Sequence, residues 1–257
     1  MGRFIKMPLS TAQWHQRYQQ QARWTHDLRF YIYNQVNLSQ ANKILDVGCG
    51  TGVLESELAH FSSVQVFGLD IDYDTIYFAQ HYAPKTAYTT GNCFQLPYEA
   101  GCFDISLCHF LLLWVGNALD ALKELIRVTI PGGYVLALAE PDYGGRIDYP
   151  SELSQIGIWQ SEALKDQGAN PRMGRELKRL FSSAGLVDIE VGVLGAQWRE
   201  EYVDQDLDLE WQVVRSDLNN NEAFIQQASN LHAIDKKARA SHQRILFVPT
   251  FYAIGKV

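Results

Sequence analysis

The sequence predicts a doubly wound α/β fold with a mostly parallel sheet, and three observations carry that expectation. From Lys43 onward, short β-branched runs alternate with helix-length amphipathic segments, the pattern of strands joined by crossover helices. The first of those strands runs directly into a glycine-rich turn at Gly48 to Gly52, where such sheets bring backbone close to a ligand. The composition, 47% hydrophobic and 20% charged over 257 residues, can bury a sizeable core as one large domain better than as two equal ones.

Taken in order, the expected strands are Lys43 to Val47, Val64 to Asp70, Ala87 to Gly91, Phe103 to Cys108 and Tyr134 to Ala139. Between them, Val53 to His60, Asp74 to Tyr82 and Asn117 to Val128 space their apolar residues three and four apart, as a helix with one face on a sheet requires. In the second half, Leu186 to Leu194 and Arg244 to Gly255 read as strands, and Pro249 marks the latter as an edge or a bulge. Asn170 as N-cap and Pro171 in the first turn open a helix from Arg172 to Ala184 that stops at Gly185. Asn219 to Asn221 reads as a turn. Three segments stand outside the alternation: residues 1–40, 143–169 and 196–242. They read as helical coverings over one core domain spanning 1–257, the first as an N-terminal lid and the other two as insertions over the carboxyl edge of the sheet.

Several function classes are disfavoured at this level. With 22 basic and 29 acidic residues and a net charge of −7, the chain lacks the excess of cations that replaces counterions on nucleic acid. No apolar run reaches the length of a membrane span, and Met1 to Ser10 has no leader-like pattern, so a cytoplasmic protein is expected. Cys49, Cys93, Cys102 and Cys108 have no Cys-x-x-Cys spacing, which predicts buried free thiols and no metal site.

Residues 44 to 52 read Ile-Leu-Asp-Val-Gly-Cys-Gly-Thr-Gly. Glycines there let the backbone approach a ligand and adopt angles that a Cβ forbids. A dinucleotide site would place its third glycine at the sixth position from Gly48, which is Val53. Asp46 would also serve a pyrophosphate poorly.

This segment resembles the first motif of the class I S-adenosylmethionine-dependent methyltransferases, and further segments match in order. Gly68-Leu69-Asp70-Ile71 resembles the acidic end of the family's second strand, Gly91-Asn92-Cys93-Phe94-Gln95-Leu96-Pro97-Tyr98 its adenine-side segment, and Phe103-Asp104 with Glu124-Leu125-Ile126-Arg127-Val128 and Pro131-Gly132-Gly133 its later core. The resemblance covers about residues 43–140 and, more loosely, Phe251 to Lys256. It implies seven strands in the order 3-2-1-4-5-7-6 and S-adenosylmethionine as cofactor. It further implies cofactor contacts from Asp46, Gly48, Cys49 and Gly50, from Asp70 and Ile71, from Asn92 and Cys93, and from Cys108. Asp70 would take the ribose diol, since a carboxylate offers two acceptor oxygens. Asn92 stands where the family commonly has Asp, so a bond to the adenine amino group would come from its side-chain carbonyl.

Methyl transfer needs chiefly an acceptor atom held in line with the S–CH3 bond and water kept out. His109, just past the fourth strand, is the candidate general base. Glu140, Asp142, Tyr143 and Arg146, past the fifth, are substrate-side candidates, Arg146 for a carboxylate. Trp14, Tyr18, Thr25, Leu28 and Ile32 share one face of a helix expected from Thr11 to about Val36, over the cofactor cleft. Trp159, Trp198, Tyr202 and Trp211 point to an enclosed apolar pocket for a small organic acceptor.

Cys108-His109-Phe110-Leu111 lacks the Asp/Asn-Pro-Pro-aromatic grip of nucleic-acid amino-methyltransferases and the strand-end carboxylate of metal-dependent catechol enzymes, and Leu111 to Val115 offer no paired glutamates for arginine methylation. The expected activity is transfer of methyl to oxygen, nitrogen or carbon of a small acceptor. The alternatives are a nonmethylating transferase that uses a related cofactor and a catalytically silent S-adenosylmethionine-binding protein.

Overall fold

Ser10 starts the first helix, α1 (Thr11–Trp24), with a capping box: its hydroxyl takes the Gln13 N–H and the Gln13 side chain returns to the Ser10 N–H. The computed structural model describes residues 9–61, 64–193 and 204–257, the side chains of 204–206 excepted. The single helix expected to reach Val36 breaks at Thr25 (φ −102°, ψ 9°), and α2 (His26–Gln35) follows as a separate helix. Thr25 Oγ1 donates to the Gln21 carbonyl four residues back, a side-chain bond that bends helices.

The alternation then follows the sequence: β1 (Lys43–Val47), α3 (Val53–Leu58), β2 (Gln65–Asp70), α4 (Tyr73–Tyr82), β3 (Ala87–Thr90), β4 (Phe103–Cys108), α5 (Ala118–Val128) and β5 (Thr129–Pro141). The rest comprises β6 (Ile147–Tyr149), α6 (Ser154–Asp166), α7 (Met173–Ala184), β7 (Val187–Val193), α8 (Asp204–Asp217), α9 (Glu222–Ala240), β8 (Ile245–Phe247) and β9 (Thr250–Lys256).

Two expectations are corrected here. The strand read from Arg244 to Gly255 is two strands in two sheets, split at Val248 and Pro249: β8 pairs with β6, and β9 with β5 and β7. Pro249 lacks the N–H that a continuous ladder needs. Asn170 is not the cap of α7 but closes the turn before it, its Oδ1 accepting the Arg172 N–H at 3.0 Å, so Pro171 lies outside the helix. Gly185 does end α7 in the left-handed region, at φ 94°.

The main sheet runs β3-β2-β1-β4-β5-β9-β7, which is 3-2-1-4-5-7-6 when its own seven strands are counted. β1 to β5 are mutually parallel and β9 is antiparallel to both neighbours. One face packs Leu45, Val47, Val135 and Ala137 against Leu122 and Leu125 of α5 and Leu177 and Phe181 of α7. The other packs Ile44, Ile105, Leu107 and Leu136 against Leu28 and Ile32 of α2 and Leu54 and Leu58 of α3. Burial on both faces is why these strands read as continuous apolar runs.

The two insertions share a core of their own. Leu153, Ile156, Leu207, Trp211, Leu218, Phe224 and Leu231 cluster, Trp211 stacking on Phe224 at 6.3 Å and donating its indole N–H to Asp235. Trp159 packs on Phe224 at 6.1 Å. These two tryptophans, expected around an acceptor pocket, therefore build the interior of the covering; Trp198 and Tyr202 lie outside the described residues, as do residues 1–8 of the N-terminal segment. No helix among the described residues is long and apolar enough to cross a membrane.

Candidate functional site

β1 lies between β2 and β4, so the loops leaving β1 and β4 diverge and open a crevice at the carboxyl edge. The β1 loop is tied to the end of β2: the Gly48 and Cys49 N–H groups both donate to the Leu69 carbonyl, at 2.7 and 3.1 Å. Gly50 N–H donates to Asp70 Oδ2 and Asp72 N–H to Asp70 Oδ1, each at 2.9 Å. Each carboxylate oxygen keeps a second lone pair, which is what a vicinal diol needs. Gly50 sits at φ 53°, and a Cβ there would come 3.2 Å from the Tyr18 ring, so glycine avoids both the strain of a left-handed backbone and crowding against α1. His15 Nδ1 is 2.9 Å from Thr51 Oγ1, a second tie between α1 and the loop.

The neighbouring positions suit an adenosyl group. Ile71, 56% exposed, and Phe94, 41% exposed, are large apolar side chains left open beside Asp70 and Asn92. Asn92 Oδ1 accepts the Phe94 N–H at 3.0 Å and keeps one lone pair. Cys93 is half-buried, and Cys49 and Cys108 are buried; desolvation pushes all three thiols up, which keeps them un-ionised. Phe94 is not among the contacts that the resemblance implies, although a large apolar residue in a polar turn is a visible signal. The spare acceptors, the glycine turn and the open apolar pair fit S-adenosylmethionine.

Asp46 is a different case from the other cofactor candidates. It is 2% exposed and faces Glu55, which is 0% exposed. No donor from another residue reaches Asp46 Oδ1 or either Glu55 oxygen. Burial pushes both carboxyls up, Asp46 to about 7 and Glu55 well above its usual range, and the pair is satisfied by sharing a proton. Asp46 is thus paired with Glu55 beneath the surface, unlike the open Ile71 and Phe94.

Three substrate-side candidates already have partners within the chain. Glu140 is fully buried, and its carboxylate accepts the backbone N–H groups of Leu111, Leu112 and Leu113 at 3.0, 2.7 and 3.1 Å. It therefore organises the loop after β4. Burial pushes this carboxyl up to about 8, with the three N–H donors pulling against that rise. Asp142 is paired bidentately with Arg175 and takes the Gly144 N–H. Arg146 donates Nε and Nη2 to Asp148 and Nη1 to Gln160, so its charge is matched internally. Tyr143 differs: its hydroxyl has no hydrogen-bond partner among the described residues, and it feels Arg17, Asp217 and Arg146.

His109 is half-buried just past β4. Its Nε2 lies 3.0 Å from Thr25 Oγ1, and its ring meets Phe110 edge-on at 4.6 Å. Burial and the Arg29 guanidinium push it well below the usual histidine range, so the ring is neutral. Among the described residues there is no group of three or more His, Cys, Asp or Glu that could hold a metal. A concavity of about 380 Å³ between the starts of α5 and α7 is lined by none of the candidate cofactor or substrate residues.

Residues 45–137 match the family model described as a methyltransferase domain. An uncharacterized methyltransferase of Schizosaccharomyces pombe is 30% identical over 174 residues, 63% of this chain and 62% of that one; the chain thus spans less than two thirds of that relative. A demethylmenaquinone methyltransferase of Bacillus velezensis is 30% identical over 193 residues, 67% of this chain and 81% of the relative. The solved structure of an S-adenosylmethionine-dependent methyltransferase from Methanosarcina mazei superposes with a TM-score of 0.54, covering 88% of this chain and 96% of that one at 18% identity; that similarity speaks to the fold.

Proposed function

Because the chain belongs to the class I S-adenosylmethionine-dependent methyltransferases, we propose that it transfers a methyl group from that cofactor to an oxygen, nitrogen or carbon of a small organic acceptor. One observation carries the reading: Asp70 with its spare lone pairs, the Gly48 to Gly52 turn and the His109 loop all stand at the carboxyl edge around the β1 to β4 switch point. Bound S-adenosylmethionine supplies a sulfonium-activated methyl group. Asp70 holds the ribose diol, Ile71 and Phe94 flank the adenine, and Asn92 offers its remaining lone pair to the adenine amino group. Gly48 and Gly50 keep the loop low enough for close contact.

The chain's remaining task is to align the acceptor and exclude water, which is worth up to about 7 to 11 kcal/mol in well-oriented reactions. α1 acts as the lid, tied to the loop through Tyr18 and His15, and the α6, α8 and α9 segments enclose the acceptor side. Tyr143, with its uncommitted hydroxyl, meets the acceptor there. His109 faces the acceptor's O–H or N–H as a neutral acceptor of a hydrogen bond.

Calorimetric titration of the purified chain with S-adenosylmethionine, decarboxylated S-adenosylmethionine and NADH tests the cofactor half. Saturable heat with S-adenosylmethionine alone is expected, and a folded protein without it refutes the reading. Label transfer from methyl-labelled S-adenosylmethionine to a panel headed by reduced demethylmenaquinone, after the Bacillus relative's name, tests the acceptor half. Cofactor binding with no transfer to any quinol, amine or carboxylate in the panel would favour a silent binding protein.

A further inference from the structure

The hydroxyl of Thr25 is surrounded by three groups, and two of them have no choice of role. Its Oγ1 lies 3.0 Å from the Gln21 carbonyl, 2.7 Å from Arg29 Nη1 and 3.0 Å from His109 Nε2. A hydroxyl has one proton to give and two lone pairs. The Gln21 carbonyl can only accept, so it takes the proton. Arg29 can only donate, so it takes one lone pair, and its guanidinium is itself fixed by Glu57 and by the Ala22 carbonyl at 2.7 Å. What remains for His109 is a lone pair, which requires Nε2 to carry a hydrogen. Turning the hydroxyl toward Nε2 would leave two oxygens 3.0 Å apart with no proton between them.

Resting on the methyl-transfer reading, we propose that Thr25 is a positioning residue that holds His109 as its Nε2–H tautomer and so presents the bare Nδ1 lone pair to an acceptor carrying an O–H or N–H. Nδ1 has no hydrogen-bond partner among the described residues. Among the described residues no carboxylate bonds to the ring to stabilise an imidazolium, and burial and Arg29 both oppose one. The ring therefore orients the acceptor's hydrogen in the ground state, and the proton displaced by the methyl group leaves to solvent water with the product. The acceptor class that follows is a hydroxyl compound or a primary or secondary amine. A tertiary amine would bring Nδ1 nothing to bind.

The test is NMR of the full chain labelled with 15N-histidine, in which long-range proton–nitrogen correlations separate a protonated from an unprotonated ring nitrogen. The chain has seven histidines, and His109 is assigned by its loss in His109→Gln. Wild type should show Nε2 protonated and Nδ1 bare from pH 6 to 8. Thr25→Val, which keeps the shape and deletes the hydroxyl, should mix the tautomers, and Thr25→Ser should restore the single form. A protonated Nδ1 in wild type, or an unchanged pattern in a folded Thr25→Val, overturns the proposal. The wild-type spectrum decides the point even if the valine variant does not fold. Its outcome is independent of cofactor binding, so failure of the tautomer assignment and failure of the methyl-transfer reading are seen separately.

Discussion

Replacing Glu140 by glutamine tests how the loop that carries His109 is held. Burial raises this carboxyl to about 8, so above that pH the substitution keeps the side chain's size and removes a charge at a position with no exposure at all. Leu111 and Leu112 both donate to Oε1, and the amide oxygen can still receive them. Leu113 donates to Oε2, where the amide now presents its own N–H groups. One buried backbone donor is thereby orphaned, at about 1 to 3 kcal/mol. Two charge-assisted bonds become neutral ones, each weaker by about 1 kcal/mol. Relief of the buried charge offsets part of this, which leaves a loss of roughly 3 kcal/mol. Urea unfolding at pH 9, followed by tryptophan fluorescence and circular dichroism, reads it as a lower midpoint at constant slope. Amide exchange should quicken at Leu111 to Leu113 before it does elsewhere. A Glu140→Gln protein as stable as wild type would refute the reasoning, since it would mean that the carboxyl is already protonated and an amide replaces it without cost.

Substituting Asp70 by alanine removes the acceptors proposed for the ribose diol and should weaken S-adenosylmethionine binding by on the order of 1.5 to 3 kcal/mol, about 10- to 150-fold in Kd; unchanged calorimetric affinity would end that assignment. Glu55→Gln should stabilise the fold increasingly as pH rises. Both carboxyls of the Asp46–Glu55 pair have raised proton affinity in the folded state, so their contribution is full below pH about 4 and is lost as pH climbs through about 7 and beyond. A glutamine donates to Asp46 and removes that loss, giving the variant an advantage of about 1 to 3 kcal/mol by pH 8. A difference from wild type in thermal unfolding that stays constant between pH 5 and 8 would contradict the shared proton.

Most of the core of the fold is legible in the sequence, because a strand buried on both faces and a helix buried on one must carry their apolar residues at fixed spacing whatever lies around them. β1, β4 and α5 follow from that constraint alone, and the turn at Gly48 to Gly52 follows from a backbone that no other residue could adopt so cheaply. Asp70 and Ile71 are likewise determined locally, by their position at the end of β2. What the sequence does not reveal is which polar residues already have partners. Glu140, Asp142 and Arg146 stand at the right edge, yet their charges are answered by Leu111 to Leu113, Arg175 and Asp148, residues 2 to 33 positions away. Asp46 sits in the first motif, and only packing shows it facing Glu55. Thr25 and His109 are 84 positions apart, and neither periodicity nor a local motif relates them. Spacing encodes which face a side chain takes. The pairing of charges and the direction of a hydroxyl depend on distances that exist only after the chain has closed on itself, and at this site those distances separate the groups open to a ligand from the groups that hold the edge in shape.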